Sequence, residues 1–151
     1  MSADPTRAGD SGGGSDSRGG PGSGSGATLS EAQLAAAVTA YFSAMDALDV
    51  EATVALFAED GELECVTDGR HPRGHAELRA FFHGVVDGSH GMEHPVTWQA
   101  VDAARGAVAT IQDYRDVRDT GAVYDERTCN FFRIAPDGRI QSIRFWRGKA
   151  S

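Results

Sequence analysis

The chain has 151 residues, of which 40% are hydrophobic, and its 22 acidic and 14 basic residues give a formal net charge of −8. This length and apolar content suit one domain with one core and leave no room for a second domain of ordinary size. The acidic balance provides no basic surface for a nucleic-acid backbone and repels anionic lipid headgroups. Neither nucleic acid nor a membrane is therefore an expected partner.

The N-terminal segment, residues 1–27, consists mainly of Gly and Ser with scattered Asp and Arg. It has almost no apolar side chain whose burial could offset the entropy lost on ordering, so we expect a disordered tail. No apolar segment follows the first charged residues, and none elsewhere approaches a membrane span in length, so a cytoplasmic location is the default expectation. The two cysteines, Cys65 and Cys129, indicate neither a disulfide framework nor a zinc ribbon.

Helical patterns dominate the first part of the expected domain, residues 28–149. The segment 28–49 places apolar residues on one helical face, and Thr28 or Ser30 can cap its first turn. Asp49 can cap a second helix, which is predicted to end at the turn-forming pair Asp60-Gly61. A short strand over 62–67 and a third helix over 75–86 are predicted to follow.

From Pro95 onward the pattern changes to β-structure. Runs rich in β-branched and aromatic residues alternate with Gly-containing turns, and they span 96–103, 107–117, 122–134 and 139–146. Such runs are typical of an antiparallel meander. Three helices followed by this meander predict an α+β fold, with the helices packed on one face of a curved antiparallel sheet.

Three sequence segments carry a family resemblance: ALFAEDGELE at 55–64, RGHAELRAFF at 73–82 and GRIQSIRFWRG at 138–148. Their order resembles the nuclear transport factor 2-like superfamily, in particular its SnoaL-like and ketosteroid isomerase-like members. The resemblance implies a cone-shaped fold around a deep apolar pocket, a homodimer formed through the sheet, a hydrophobic small-molecule ligand and no cofactor. Because this superfamily contains isomerases, lyases, cyclases and non-catalytic domains, the fold alone does not give the activity.

The ketosteroid isomerase pattern implies roles for three positions. Tyr41 precedes Asp49 by eight residues, as the oxyanion-binding tyrosine does in that family. Asn130 stands where the family has a protonated acid, and an amide donates a hydrogen bond at any pH. Cys65 replaces the carboxylate base, and a buried thiol is a poor base, so Cys65 is interpreted as a small apolar filler.

Two further residues are candidates for the missing base. His94 lies near a segment in which SnoaL-like chains carry a histidine, and a histidine at a pocket mouth can act as a base near neutral pH. A surface-loop histidine is the alternative interpretation. Asp113 shares strand parity with Ala109 and Ile111, which predicts an inward side chain if the register holds.

The function hypothesis is a cofactor-independent isomerase, lyase or cyclase that acts on a hydrophobic oxygenated molecule, such as a polyketide or terpenoid. A ligand-binding or assembly domain without turnover is the alternative. The expected catalytic residues are Tyr41, His94 and Asp113, although Tyr41 could equally be an ordinary core tyrosine. Substrate-binding residues are expected to be Cys65, Phe82, Asn130, Phe132 and Phe145. No metal site is predicted, because the spaced histidine pairs lie in loops that contain proline.

Overall fold

The computed structural model describes residues 27–149, so the expected disordered tail lies outside the described residues apart from Ala27. The helices are α1 (Glu31–Asp46), α2 (Val50–Ala55) and α3 (Gly74–Val86). The strands are β1 (Phe57–Cys65), β2 (Ser89–Glu93), β3 (Val96–Asp102), β4 (Ala107–Arg118), β5 (Val123–Ile134) and β6 (Ile140–Lys149). The predicted α+β class is confirmed. No helix among these residues combines the length and apolar character needed to cross a membrane.

The sheet has the strand order β1-β6-β5-β4-β2, and β3 pairs with β4 as well. Strand β1 runs parallel to β6, whereas the other pairings are antiparallel. The predicted antiparallel meander is present as β3 to β6, but the sheet as a whole is mixed, because the parallel pair of β1 with β6 was not predicted. A parallel pair needs a long crossover between its strands, and here α3 and the whole meander separate β1 from β6.

Strands β2 and β3 share one edge of β4. Strand β3 pairs with the first half of β4 and β2 with the second half, so the edge breaks between them at His94 and Pro95. Proline cannot donate to the ladder, and instead the Pro95 carbonyl accepts a 3.2 Å hydrogen bond from the Asp113 backbone N–H. The chain turns at this corner, which brings His94 beneath α1.

Helix α1 begins as the sequence predicts. Ser30 is the N-cap residue, its hydroxyl accepts a hydrogen bond from the Gln33 backbone N–H, and the Gln33 side chain accepts one from the Ser30 N–H in return. The buried side chains of α1 lie on one face at helical spacing, and they are Leu34, Val38, Tyr41, Phe42 and Met45. This face packs across the concave side of the sheet.

Helix α2 is shorter than predicted. Asp49 caps it as expected, but it ends at Ala55, and Phe57 already belongs to β1. Gly61 lies at a register shift in β1, where an added Cβ would approach the carbonyl oxygens of Ala58 and Ile140 to 2.9 and 3.0 Å. The turn-forming pair thus marks a bulge in a strand that only glycine fits, rather than the end of a helix.

The inward faces of β4 and β5 change character along their length. Near the start of β4 they carry Val108 and Phe132, which are buried in the apolar core. Further along they carry Gln112 and Asn130, both almost fully buried, and Glu126 lies nearer the β4–β5 turn. Polar groups are therefore gathered at one end of the cone, which is where an internal cavity opens.

Candidate active site

The cavity lies between the polar end of the concave sheet and helices α1 and α3, and its volume is about 90 Å³. Five of the expected site residues line it: Tyr41, Phe82, His94, Asn130 and Phe145. The remaining apolar lining is Phe42, Met45, Leu63, Phe81 and Val85. The remaining polar lining is Arg70, Gln112, Tyr114, Glu126, Thr128 and Arg147.

Two of the residues expected to bind substrate, Cys65 and Phe132, lie behind the cavity wall. Phe132 is one layer deeper, with its ring edge-on to Tyr41 and Phe42 at centroid distances of 5.6 and 5.8 Å. Cys65 is fully buried at the end of β1, beneath the turn that carries Asp68. Burial raises the pKa of the Cys65 thiol, which makes it still less suited to act as a base.

Asp113 lies on the opposite face of the sheet, so its expected inward orientation is wrong. Its Oδ1 accepts a 2.9 Å hydrogen bond from Nε of Arg127, and its side chain is 39% exposed. The inward residues of β4 have even numbers, as the burial of Thr110 and Gln112 shows. The same one-residue error in strand parity left Gln112 out of the predicted site.

His94 forms a close pair with Asp46, the last residue of α1. Nδ1 of His94 lies 2.6 Å from Oδ1 of Asp46, and only 10% of the His94 side chain is exposed. The imidazole lies between the rings of Phe42 and Tyr114, at centroid distances of 5.3 and 5.0 Å. Because a carboxylate can only accept, Nδ1 of the neutral ring carries the proton and Nε2 keeps a lone pair. His94 is thus held in the tautomer that a general base requires.

Tyr41 contributes a hydroxyl that stays protonated. Burial raises the pKa of Tyr41 well above its usual range. Its ring is fixed by edge-on contacts with Phe57 and Phe132, and no side chain among residues 27–149 forms a hydrogen bond to its hydroxyl. The O–H can therefore be donated to a ligand oxygen without breaking an internal hydrogen bond.

Two amide side chains add further donors. Oε1 of Gln112 accepts a 2.9 Å hydrogen bond from the Thr110 hydroxyl, so its amide nitrogen is the group that Gln112 can offer to a ligand. Nδ2 of Asn130 lies 3.3 Å from the Thr128 hydroxyl oxygen, and its second N–H has no acceptor among residues 27–149, so it can be donated to a ligand. The cavity thus combines one candidate base with hydroxyl and amide donors.

Charged groups lie together on one part of the cavity wall and directly behind it. Asp68 accepts hydrogen bonds from Arg147 at 2.6 Å and from Arg70 at 2.9 Å, and the Arg70 guanidinium lies 4.8 Å from the centre of the Phe81 ring. Partial burial opposes ionisation of Asp68, but the hydrogen bonds from the two arginines and from Cys65 outweigh it and lower the pKa of Asp68. Glu126 completes this group. These residues were not predicted from the sequence, because they come from a loop and two separate strands.

The histidines around Pro72 bind groups of the protein. Nε2 of His71 lies 3.0 Å from a carboxylate oxygen of Glu62, and Nε2 of His75 lies 3.0 Å from the Phe57 carbonyl oxygen. Within residues 27–149, no three His, Cys, Asp or Glu side chains converge as a potential metal site.

Comparison with known proteins places the chain in a family. Residues 38–143 match the SnoaL-like domain. The chain belongs to the SnoaL-like domain family. The resemblance inferred from the sequence is thereby confirmed. None of the curated proteins searched matches the chain.

Solved structures with the same fold include three small enzymes or enzyme candidates. SalBIII, an epoxide hydrolase/cyclase-like enzyme of pyran ring formation in the polyether salinomycin, has a TM-score of 0.70 and 21% identity, over 78% of this chain and 92% of that one. A candidate polyketide cyclase from Xanthomonas campestris pv. campestris has a TM-score of 0.68 and 20% identity, over 77% and 90% of the two chains. An epoxide hydrolase from M. tuberculosis has a TM-score of 0.67 and 20% identity, over 78% and 84%. The TM-scores show that these proteins share the fold of this chain, and at identities this low the similarity shows the fold alone.

Proposed function

We propose that this SnoaL-like domain is a cofactor-independent isomerase, lyase or cyclase that moves a proton on a hydrophobic, oxygenated small molecule. The observation that carries the proposal is the His94–Asp46 pair, which orients an imidazole on the wall of the cavity. The same cavity holds the Tyr41 hydroxyl and the Asn130 amide. A base and oxygen-binding donors around one small space are the minimum that acid–base catalysis requires.

Each side chain has a defined role in this scheme. Nε2 of His94 takes a proton from a carbon next to a substrate carbonyl, and the C–H electron pair moves toward the carbonyl oxygen. Tyr41 and Asn130 donate hydrogen bonds to that oxygen as its negative charge develops. The carboxylate of Asp46 stabilises the imidazolium, which then returns the proton to another carbon or to a leaving oxygen.

The size of the cavity limits what can reach His94. Its volume of about 90 Å³ is well below the roughly 300–1,000 Å³ of sites that bury drug-sized ligands. A polyketide- or terpenoid-like molecule would therefore place only its reacting part inside and extend past Arg70, whose side chain is 49% exposed. Ring-forming and epoxide-opening enzymes among the structural neighbours support this class of chemistry on the fold.

A simple ketone tests the proposal. The β,γ-unsaturated isomer of cyclopentenone needs one proton removed and one returned to become the conjugated ketone, which is followed by ultraviolet absorbance. We expect the wild-type chain to accelerate this conversion and His94→Gln to reduce the rate about a hundredfold. His90→Gln is the matched control, since His90 is exposed and does not line the cavity. Saturable binding of the ketone without acceleration would instead support a non-catalytic ligand-binding domain.

We also infer that the functional unit is a homodimer formed through the outer face of the sheet. Trp98, Phe131 and Trp146 are 52%, 48% and 40% exposed. Strand register aligns Trp98 and Trp146 with Ile111 and Cys129 in one row across four strands. The strands of this sheet also carry ion pairs, such as Arg144 with Glu64 at 2.6 Å. Because the surface therefore has both signs of charge, it can pack against a second copy of itself.

A further inference from the structure

One carboxylate oxygen of Glu126, a residue of the cavity lining, has no hydrogen-bond partner in the described part of the chain. Oε2 of Glu126 is shielded from solvent and accepts no hydrogen bond from any residue between 27 and 149. Nη1 of Arg147 lies 3.7 Å from it, which is an ion-pair distance but too long for a hydrogen bond. Buried acceptors are nearly always satisfied, because leaving one unpaired is costly. An unpaired acceptor on the wall of a cavity indicates a place for a ligand donor.

Arg147 is not free to donate the missing hydrogen bond to the Glu126 carboxylate. Its Nη2 and Nε donate to Asp68 at 2.6 and 3.3 Å, and its backbone N–H donates to the Thr67 hydroxyl at 3.0 Å. Asp68 is held in turn by Arg70. The guanidinium is thus fixed by a second carboxylate, and moving Arg147 toward Glu126 would disturb its hydrogen bonds to Asp68.

The surrounding charges select the type of donor. A cationic ligand would meet the guanidinium groups of Arg147 and Arg70, which line the same cavity. An anionic ligand would meet the Glu126 carboxylate itself. A neutral hydroxyl avoids both costs, and its hydrogen bond to a carboxylate is of the strong, charge-assisted kind. The aromatic rings of Phe81 and Phe145 on the cavity wall suit the apolar remainder of such a molecule.

We propose that Glu126 accepts a hydrogen bond from a hydroxyl group of the substrate, so that this cavity takes a neutral alcohol. Glu126 and Asn130 lie four residues apart on the inward face of β5, which corresponds to about 13 Å along the strand. The hydroxyl therefore lies at the opposite end of the ligand from the oxygen that Asn130 binds. This inference names the substrate class of the active site proposed above, and it rests on that proposal for calling the ligand a substrate.

Three probes that share one ring separate the possibilities. Cyclopentanol offers a neutral donor, cyclopentanone only an acceptor, and cyclopentylammonium a cation. Their dissociation constants are measured by NMR titration of the wild-type chain, following the backbone amides around Glu126. We expect cyclopentanol to shift these amides saturably and to bind more tightly than the ammonium ion.

The matched variants are Glu126→Gln, which keeps the shape and a neutral acceptor, and Glu126→Leu, which removes the acceptor. We expect cyclopentanol affinity to fall by about threefold in the first and about tenfold in the second, with cyclopentanone affinity unchanged. Glu59→Gln, at an exposed position, is the control and leaves the affinities unchanged. Urea unfolding checks that each variant is folded, and Glu126→Gln alone decides the matter if Glu126→Leu is not.

The inference is overturned if the ammonium ion binds more tightly than the alcohol, if wild type shows no saturable alcohol binding, or if Glu126→Gln leaves alcohol affinity unchanged. None of these measurements requires turnover. A failure of His94-dependent catalysis and a failure of the Glu126 assignment are therefore separate results.

Discussion

Nδ1 of His94 lies 2.6 Å from Oδ1 of Asp46, and this contact joins the corner between β2 and β3 to the last turn of α1. The contact fixes the imidazole at the point where the edge of the sheet turns beneath the helix. The orientation of the candidate base thus depends on a residue 48 positions earlier in the chain.

Asp46→Asn tests whether this contact serves the chemistry rather than the fold. The pair is partly exposed on the Asp46 side, where 37% of the side chain is accessible, so its loss should lower the free energy of unfolding by no more than about 1 kcal/mol. Turnover of the unsaturated ketone should fall at least tenfold, because an amide can also stabilise the other tautomer and cannot stabilise the imidazolium by charge. Urea unfolding and the ultraviolet assay measure the two effects. Equal turnover in variant and wild type would remove Asp46 from the mechanism.

Near neutral pH, Tyr41→Phe should have a larger effect on turnover than on the free energy of unfolding. The hydroxyl has no hydrogen-bond partner among residues 27–149, so the free energy of unfolding should change by less than about 1 kcal/mol. Turnover should fall about a hundredfold, since a donor aimed at developing charge in a dry site contributes roughly 3 kcal/mol. A variant with wild-type turnover would show that Tyr41 serves only the core.

The same variant should alter stability at alkaline pH. Burial raises the pKa of Tyr41 above its ordinary value of about 10, so the folded chain holds the phenolic proton more tightly than the unfolded chain. This contribution to stability is complete below about pH 10 and is lost as the pH rises further. Unfolding free energies at about pH 8 and about pH 11 should therefore differ less in Tyr41→Phe than in wild type. Tyr124→Phe, with a 48% exposed ring, is the control and should behave like wild type.

Cys65 should be chemically silent in the folded chain. It is fully buried, and burial raises the pKa of its thiol, so little thiolate is present near neutral pH. In a Cys129→Ser background, iodoacetamide should leave the native chain unmodified and alkylate it once after denaturation, as mass spectrometry can show. Cys65→Ala should keep turnover within about an order of magnitude of wild type. Rapid native alkylation together with loss of turnover in Cys65→Ala would make Cys65 the chemical centre.

Trp146 should hold the proposed dimer together. Its ring is edge-on to Phe131 at 5.7 Å on the outer face of the sheet, and a charge there would be buried against the second copy. Trp146→Arg should therefore shift the chain toward monomer in sedimentation velocity experiments. Tyr124→Ser changes another exposed aromatic residue, near the β4–β5 turn, and should not. A monomeric wild-type chain at high concentration would exclude this interface.

Local patterns made the helices predictable from the sequence. The cap and capping box of α1 involve residues three positions apart, and the apolar stripe of α1 follows from helical periodicity alone. Non-local features were not predictable in this way. The partner of β1 is β6, far along the chain. Strand β2 has only five residues and a register shift between Ser89 and Gly91, so its pairing with β4 leaves little trace in the sequence.

The sequence predicted a site residue correctly where the family resemblance pointed to a position whose side chain is buried on the cavity side of its helix or strand. Tyr41 and Asn130, which the family resemblance predicted, both line the cavity. Gln112 lines it and the predicted Asp113 does not, because the predicted strand parity was wrong by one residue. The free oxygen of Glu126 depends on the distance to Arg147 and on what Asp68 already binds. No spacing in the sequence encodes such a relationship.

The parallel pairing of β1 with β6 bears on how the chain folds during synthesis. Arg144 of β6 binds Glu64 of β1 across 80 positions. Strand β1 is complete at Cys65, yet β6, the strand with which it pairs, is among the last parts of the described chain to be made. Until then β1 has an unpaired edge and a row of apolar side chains without their final neighbours. Contacts of such sequence separation slow folding and expose intermediates to aggregation. Loss of the last ten described residues, which form β6, would thus leave both β1 and β5 with open edges.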